Sequence, residues 1–113
     1  MNIYISATET FEAGHTVADS VRCEHVHGHR WSVKATAVVH DILRTSDALE
    51  SALRALVVEF DGFNLNTQMH STLTRPVNVA AYVLDRLLSA GVAVVRVEVS
   101  DGRASGEVVR EIR

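Results

Sequence analysis

Four of the six histidines of this 113-residue chain lie between positions 15 and 29, in a stretch that also contains its only cysteine. One glycine separates His27 from His29, and on an extended backbone residues i and i+2 point to the same side. His15 can supply a third imidazole if its segment pairs with theirs. Neutral imidazole is a common Zn²⁺ ligand, and three protein ligands leave a fourth position for water or substrate. The spacing therefore predicts a zinc site of the catalytic type.

Two other interpretations of these residues stay open. The histidines can occur together by chance, or cap strand ends without binding a metal. Alternatively, Cys23 is a fourth ligand, which would close the coordination sphere and make the site structural. A single cysteine excludes an internal disulfide, so Cys23 is either buried or a working thiol in a reducing compartment.

Two predicted strands must bring the histidines together. Residues 2–11 alternate and contain β-formers, which predicts a first strand leading into His15, and residues 29–39 form a second. A loop over about residues 16–28 connects them. The face of the second strand expected to pack on the core carries Trp31, Val33, Ala35, Ala37 and Val39.

Two amphipathic helices are predicted next. The first runs from a cap at Thr45 or Ser46 to about Glu59, and the second from a cap at Thr74 to about Leu88. Their apolar stripes comprise Leu49, Leu53, Leu56 and Val57 in the first helix, and Val79, Val83, Leu84, Leu87 and Leu88 in the second.

A terminal hairpin completes the predicted fold. Residues 92–99 form a third strand, Asp101 and Gly102 a turn, and residues 107–113 a fourth strand. The order β-β-α-α-β-β predicts an α+β fold in which two helices cover one face of a four-stranded antiparallel sheet, in one domain over residues 1–113. The predicted third strand, residues 92–99, is apolar on both faces for half its length, although such a sheet normally exposes one face to solvent. Either valine is simply frequent here, or another copy covers that face.

Composition narrows the possible partners. The formal net charge is −3, and no Lys/Arg cluster with interleaved aromatics occurs, which argues against a nucleic-acid surface. The N-terminus has no basic, apolar leader pattern and no run approaches the length of a membrane span, so we expect a cytoplasmic protein without a membrane partner. A chain this short is small for an enzyme that must wall off its own pocket, which favours self-association.

Four motifs resemble those of the 6-pyruvoyl/6-carboxy-tetrahydropterin synthase family. Residues 11–15 (FEAGH) resemble its F-x-A-x-H strand, and residues 23–29 (CEHVHGH) its C-x-x-x-H-G-H motif. Residues 60–66 (FDGFNLN) are similar to its L-D-H-x-x-L-N motif with glycine in place of histidine, and residues 97–99 stand where it has a glutamate-threonine pair. The resemblance covers nearly the whole chain. It implies the tunnelling fold, assembled into an oligomeric barrel, and a homohexamer with its pocket between subunits.

The resemblance also implies roles for individual residues. His15, His27 and His29 would hold Zn²⁺, which grips the side-chain hydroxyls of a dihydroneopterin triphosphate-like substrate. Cys23 would be the general base. Glu98 would anchor the pterin ring, since a bidentate carboxylate suits a guanidine-like edge.

One departure from the family concerns the proton relay. The family supports its base with an Asp-His pair, whereas here Asp61 is followed by Gly62, which cannot relay a proton. Either His70 or His25 reaches the same place, or the usual reaction is slow or absent, because losing one member of a cooperating catalytic set removes most of its rate advantage.

Two further residues have alternative interpretations. Arg75 replaces a threonine that the family places near the pterin, and is either a solvated first-turn residue or a contact to substrate phosphate or carboxylate. Residues 24–29 also satisfy the E-x-x-H-G-H variant of relatives that cleave the dihydroneopterin side chain to give the folate precursor. Glu24 is therefore either a second possible base or an exposed loop residue.

The leading functional hypothesis is a zinc-dependent lyase of the 6-carboxytetrahydropterin type, which feeds 7-deazapurine and queuosine biosynthesis. The short C-x-x-x-H-G-H spacing favours that branch of the family over the pyruvoyl-forming one. The alternatives are a pterin-binding homo-oligomer that has lost the reaction, the side-chain-cleaving variant, and a small structural zinc domain with Cys23 in the metal shell.

Overall fold

The computed structural model describes residues 1–17 and 27–111, apart from the side chain of His27. The order β-β-α-α-β-β is confirmed, with one short helix added between the two long ones. Four antiparallel strands form one sheet in the order β1-β2-β3-β4, which confirms the α+β class. The elements are β1 (Tyr4–His15), β2 (His27–Val38), α1 (Ile42–Phe60), α2 (Leu65–Met69), α3 (Pro76–Ser89), β3 (Val94–Ser100) and β4 (Ser105–Val109).

The β1–β2 ladder is longer than predicted. All 12 residues of β1 pair with β2, from Tyr4 opposite Val38 to His15 opposite His27. The first strand therefore continues past residue 11, and the second begins two residues earlier than expected. Backbone pairing needs no apolar alternation, so this extension was not visible in the sequence pattern. The paired strands therefore include His15, His27 and His29.

One face of the sheet packs against α1 and α3 and forms the core. Trp31 is fully buried in this core, and its indole Nε1 donates to the Ala13 carbonyl at 3.1 Å. Phe11 stacks on Trp31 at 6.0 Å and meets Phe60 at 5.3 Å between ring centroids. The predicted helix stripes supply the facing layer, with Leu49, Leu53, Leu56, Val57, Val79, Val83 and Leu87 all buried.

α1 begins earlier than predicted. Its N-cap is Asp41, whose carboxylate accepts from the backbone N of Arg44 at 3.1 Å, and not Thr45 or Ser46. The apolar stripe that guided the prediction starts only at Leu49, because the first turn of the helix is exposed. Among the residues that the structure describes, no helix combines the length and apolar composition needed to cross a membrane.

The start of α3 also differs from the prediction. Its N-cap is Arg75, whose backbone N donates to the Asn78 side-chain oxygen at 3.1 Å. Thr74, the predicted cap, is fully buried and hydrogen-bonds to His15 instead. The error follows from judging a cap by local sequence, since threonine serves equally well in a long-range contact.

The valine-rich third strand has an explanation within the chain. The β2–β3 register shifts between Thr36 and Ala37, which leaves Val95 as the extra residue of a bulge. Val95 is only 5% exposed, and its carbonyl accepts from the Arg110 backbone N at 2.7 Å. The run is therefore not evidence that another copy covers the sheet. The last strand also starts two residues earlier than predicted and ends at Val109.

The start of α3 lies against β4 at a glycine. A Cβ on Gly106 would lie 2.5 Å from Val77 N and 2.7 Å from Val77 Cα. We expect Gly106→Ala to lower the free energy of unfolding by about 1–3 kcal/mol, because β4 must move away from the helix. Urea unfolding of the metal-free protein measures this. Gly28→Ala is the matched control, since no atom of the described residues lies within 4 Å of a Cβ there; an equal loss in both variants would contradict the close approach.

Candidate metal centre

Strand alternation directs two of the predicted ligands to the same face of the sheet. His15 follows Phe11 and Ala13 on the core-facing side of β1, and His29 lies opposite Ala13 on β2. The His15 and His29 ring centroids are 5.0 Å apart with an interplanar angle of 77°. Trp31 lies beside both rings, with its ring centroid 5.0 Å from that of His15 and 5.9 Å from that of His29. The convergence of His15 and His29 is therefore as predicted.

The orientation of His15 is fixed by a residue of the loop before α3. His15 Nδ1 lies 2.9 Å from the Thr74 carbonyl oxygen and 3.2 Å from Thr74 Oγ1. A carbonyl oxygen only accepts, so Nδ1 carries the proton and donates it. The lone pair of the ring then belongs to Nε2, which is buried, as is His29 Nε2. A metal-binding histidine commonly donates its other N–H in this way.

Thr74 is held in turn by a network around Thr16, the residue after His15. The Asn66 side chain accepts from Thr16 N at 2.8 Å and donates to Thr16 O at 3.0 Å. It also donates to the Ser71 carbonyl at 3.0 Å, while Thr74 Oγ1 donates to Thr16 O at 3.1 Å. The end of β1 and the loop before α3 are thereby joined at His15.

A third group near the histidines was missed in the sequence. Asp101 directly follows β3, and one ligand atom each from His15, His29 and Asp101 lie within 4.8 Å of one another. The sequence suggested only a turn residue, because 72 positions separate Asp101 from His29 and no spacing rule relates them. Only the strand order could have indicated it, because the antiparallel pairing of β2 and β3 places the end of β3 beside the start of β2.

The Asp101 carboxylate is favoured in its ionised form. Burial by itself raises the pKa of Asp101, but hydrogen bonds from the backbone N–H groups of Ala104 and Arg103, together with the nearby His29 and His15, lower it overall. The two bonds go to Oδ1, at 2.8 Å from Ala104 N and 2.9 Å from Arg103 N. A negative carboxylate therefore faces two imidazoles.

These groups open into a cavity of about 480 Å³. Its walls combine the two histidines and Asp101 with the start of α3 and the turn before β4. Arg75 lies in this wall and is exposed, so its two interpretations, a solvated first-turn residue and a contact to a bound molecule, both stay open. The lining residues are His15, Val17, His29, Arg75, Pro76, Val77, Asp101, Arg103, Ala104 and Ser105.

The donor set fits a divalent transition metal. Imidazole nitrogens and a carboxylate oxygen are the ligands that Zn²⁺ accepts besides thiolate. His27 lies opposite His15 in the ladder, but its side chain is outside the described residues. The described residues thus contain a possible His-His-Asp metal site.

The predicted relay residues lie elsewhere. Asp61 ends α1, and its Oδ1 accepts from the Glu12 backbone N at 2.9 Å. Gly62 has a φ of 80°, a left-handed conformation that favours glycine. His70 caps the end of α2 with an exposed side chain and is not in the wall of the 480 Å³ cavity. The structure does not bring Asp61 or His70 into that wall.

Glu98, the predicted pterin anchor, lies on the opposite face of the sheet. Its neighbours Val97 and Val99 face the core, so Glu98 faces away from it, 3.5 Å from Arg96. It pairs with Lys34, which is five residues along β2 from His29, or about 17 Å at the rise of an antiparallel strand. Cys23, Glu24 and His25 lie outside the described residues.

Solved structures share the whole fold at low sequence identity. The 6-pyruvoyl tetrahydropterin synthase of Caenorhabditis elegans is 16% identical, with a TM-score of 0.75 over 98% of this chain and 97% of that one. The Plasmodium falciparum enzyme of the same name is 12% identical, with a TM-score of 0.68 over 98% and 99%. An uncharacterized Wolinella succinogenes protein is 14% identical, with a TM-score of 0.59 over 98% and 99%.

Sequence comparison assigns the family. A comparison with curated proteins gives no match. The family model described as 6-pyruvoyl tetrahydropterin synthase matches residues 4–111, which include every strand and helix of the sheet and its covering layer. The chain therefore belongs to the 6-pyruvoyl tetrahydropterin synthase family.

Proposed function

We propose that the chain is a zinc-dependent lyase of the tetrahydropterin synthase type that acts on dihydroneopterin triphosphate or a related pterin. Within the family, we assign it to the 6-carboxytetrahydropterin branch, whose product is a precursor for 7-deazapurine and queuosine biosynthesis. His15, His27 and His29 hold the metal. The observation that carries the proposal is the bond from His15 Nδ1 to the Thr74 carbonyl, because it leaves Nε2 as the ligand atom beside His29.

The cavity supports a small-molecule substrate. About 480 Å³ lies within the range of sites for such ligands, which is roughly 300–1,000 Å³. A bound zinc would act as a Lewis acid toward the hydroxyls of the pterin side chain. Arg75, in the cavity wall, would contact the phosphate or carboxylate end of the substrate. Cys23 would serve as the base that moves the proton.

The position of Glu98 supports a pocket shared between copies of the chain. Glu98 and His29 lie on opposite faces of one sheet, too far apart to bind the same pterin. If Glu98 anchors the ring, it does so for the metal centre of a neighbouring copy. This argument favours a pocket formed at a contact between copies, an arrangement that the homohexamer implied by the family resemblance would provide.

A specific observation favours a second candidate, a pterin-binding homologue without the usual synthase reaction. The Asp61 carboxylate is engaged with Glu12 N, and the backbone at Gly62 has a conformation that a histidine would adopt only with strain. The Asp-His support of the base is thus missing at this place. In a third arrangement Glu24 acts as the base and the pterin side chain is cleaved.

The first prediction concerns the metal. We expect purified wild-type protein to bind one zinc per chain and His29→Ala to lose more than the roughly 10- to 100-fold in affinity that outer-shell changes cost, because a direct ligand is removed. Competition with a chromophoric chelator measures both. His40→Ala is the control, since His40 is exposed and outside the cavity wall. Equal zinc affinity in the His29 variant and the wild type would refute the metal centre.

The second prediction concerns the Thr74 hydroxyl. We expect Thr74→Val to weaken zinc binding by about tenfold, since it loosens the group that orients His15 while leaving the carbonyl in place. It should also lower the free energy of unfolding of the metal-free protein by about 1–3 kcal/mol, because polar partners are left buried. Thr72→Val, at an exposed position, is the matched control. Unchanged zinc affinity in Thr74→Val would show that the hydroxyl has no part in holding His15.

The third prediction concerns the product. Zinc-loaded protein incubated with dihydroneopterin triphosphate should give 6-carboxytetrahydropterin, detected by mass spectrometry, and Cys23→Ala should abolish it while keeping its zinc. A hydroxymethyl pterin instead would favour Glu24 as the base. No turnover, with pterin binding that Glu98→Ala abolishes, would establish the second candidate. Loss of zinc in Cys23→Ala would show that Cys23 is a structural ligand.

A further inference from the structure

We infer that Asp101 is a ligand of the metal held by His15 and His29, so that the centre contains a carboxylate oxygen in addition to its imidazoles; this rests on the proposed metal site. Asp101 comes from the opposite end of the chain, at the exit of β3. The ligand would complete a site built from two distant segments and not from the histidine motif alone.

The geometry that carries this inference is the convergence of three donors. One ligand atom from each of His15, His29 and Asp101 lie within 4.8 Å of one another. Tetrahedral zinc with ligands at about 2.0–2.2 Å sets those atoms about 3.4 Å apart, so a bound ion needs only a small contraction. All three side chains line one cavity.

The turn that follows β3 leaves part of the carboxylate available. Asp101 Oδ1 accepts both backbone N–H groups of the turn, from Arg103 and Ala104. A cap of this kind needs one oxygen, and a neutral asparagine supplies it equally well. The charge and the second oxygen of Asp101 therefore have no role in the turn, whereas both are suited to a cation between two imidazoles.

A carboxylate ligand changes what the centre offers to a substrate. If His27 is also a ligand, as proposed above, three imidazoles and Asp101 would fill the four positions of a tetrahedral shell before substrate binds, and the formal charge of the centre would be one unit lower than with imidazoles alone. Substrate hydroxyls would then bind by expanding the shell to five ligands or by displacing the carboxylate. Asp101 would thus compete with water or substrate for the fourth coordination position of the metal.

The test compares Asp101→Asn with the wild type. Asparagine keeps an oxygen for the two turn amides, so metal-free stability should change little, while zinc affinity should fall at least tenfold by chelator competition. Cobalt substituted for zinc supplies a second readout, because its visible spectrum reports the donor set and should change in the variant. Asp85→Asn, an exposed position on α3, should change none of these.

The outcomes separate this inference from the proposed metal site. If the wild type binds no zinc or cobalt, the metal site itself is wrong. If the wild type binds both but Asp101→Asn has the same zinc affinity and the same cobalt spectrum, the site stands and Asp101 is only a turn residue. If Asp101→Asn fails to fold, Asp101→Ser replaces it, since a serine hydroxyl also caps such turns, and the same two readouts decide.

Discussion

The register between β1 and β2 is the constraint on which the candidate metal centre depends. His15 and His29 reach one point because every residue of β1 pairs in sequence with β2, with no shift along the ladder. A slip of one residue would turn one strand's histidines to the polar face of the sheet while the other strand's remained on the core side. The packing of Phe11 on Trp31, a registered pair, opposes that slip, because Trp31 is fully buried and donates to the Ala13 carbonyl. The apolar core next to the site thus fixes the alignment of the polar groups.

A second constraint acts at the end of β1. The Asn66 side chain and the Thr74 hydroxyl both form hydrogen bonds to the Thr16 backbone. The Thr74 carbonyl also accepts the hydrogen bond from His15 Nδ1. Two stretches that are far apart in sequence, residues 15–16 and residues 66–74, therefore meet beside the His15 imidazole. This explains why Asn66, the last residue of the 60–66 motif, supports the site: its side-chain amide bonds to the backbone of Thr16, beyond the ladder, where strand pairing no longer can.

The periodicity of apolar residues was sufficient to predict which faces of the strands and helices are buried. The alternation around Trp31 identified the core face of β2, and the stripe at Leu49, Leu53 and Leu56 identified the buried face of α1, since both follow from backbone periodicity. The same reasoning brought His15 and His29 together. It failed for Asp101 and Thr74, whose places depend on which distant segments meet. It also misplaced the start of α1, because Asp41 precedes the first residue of the apolar stripe by several positions.

The segment after α1 shows how a motif's structural role separates from its chemical one. Asp61 accepts from Glu12 N, Gly62 N donates to Glu12 O at 2.7 Å, and Gly14 N donates to Phe63 O at 3.2 Å. Residues 61–63 thereby run beside the end of β1 and support the strand that carries His15. That role requires the Asp61 carboxylate and a residue that accepts the left-handed conformation at position 62, which glycine does without strain. A proton relay at this place requires an imidazole instead. Gly62 is therefore compatible with the arrangement of His15, His29 and Asp101, because residues 61–63 support the end of β1 without an imidazole at position 62.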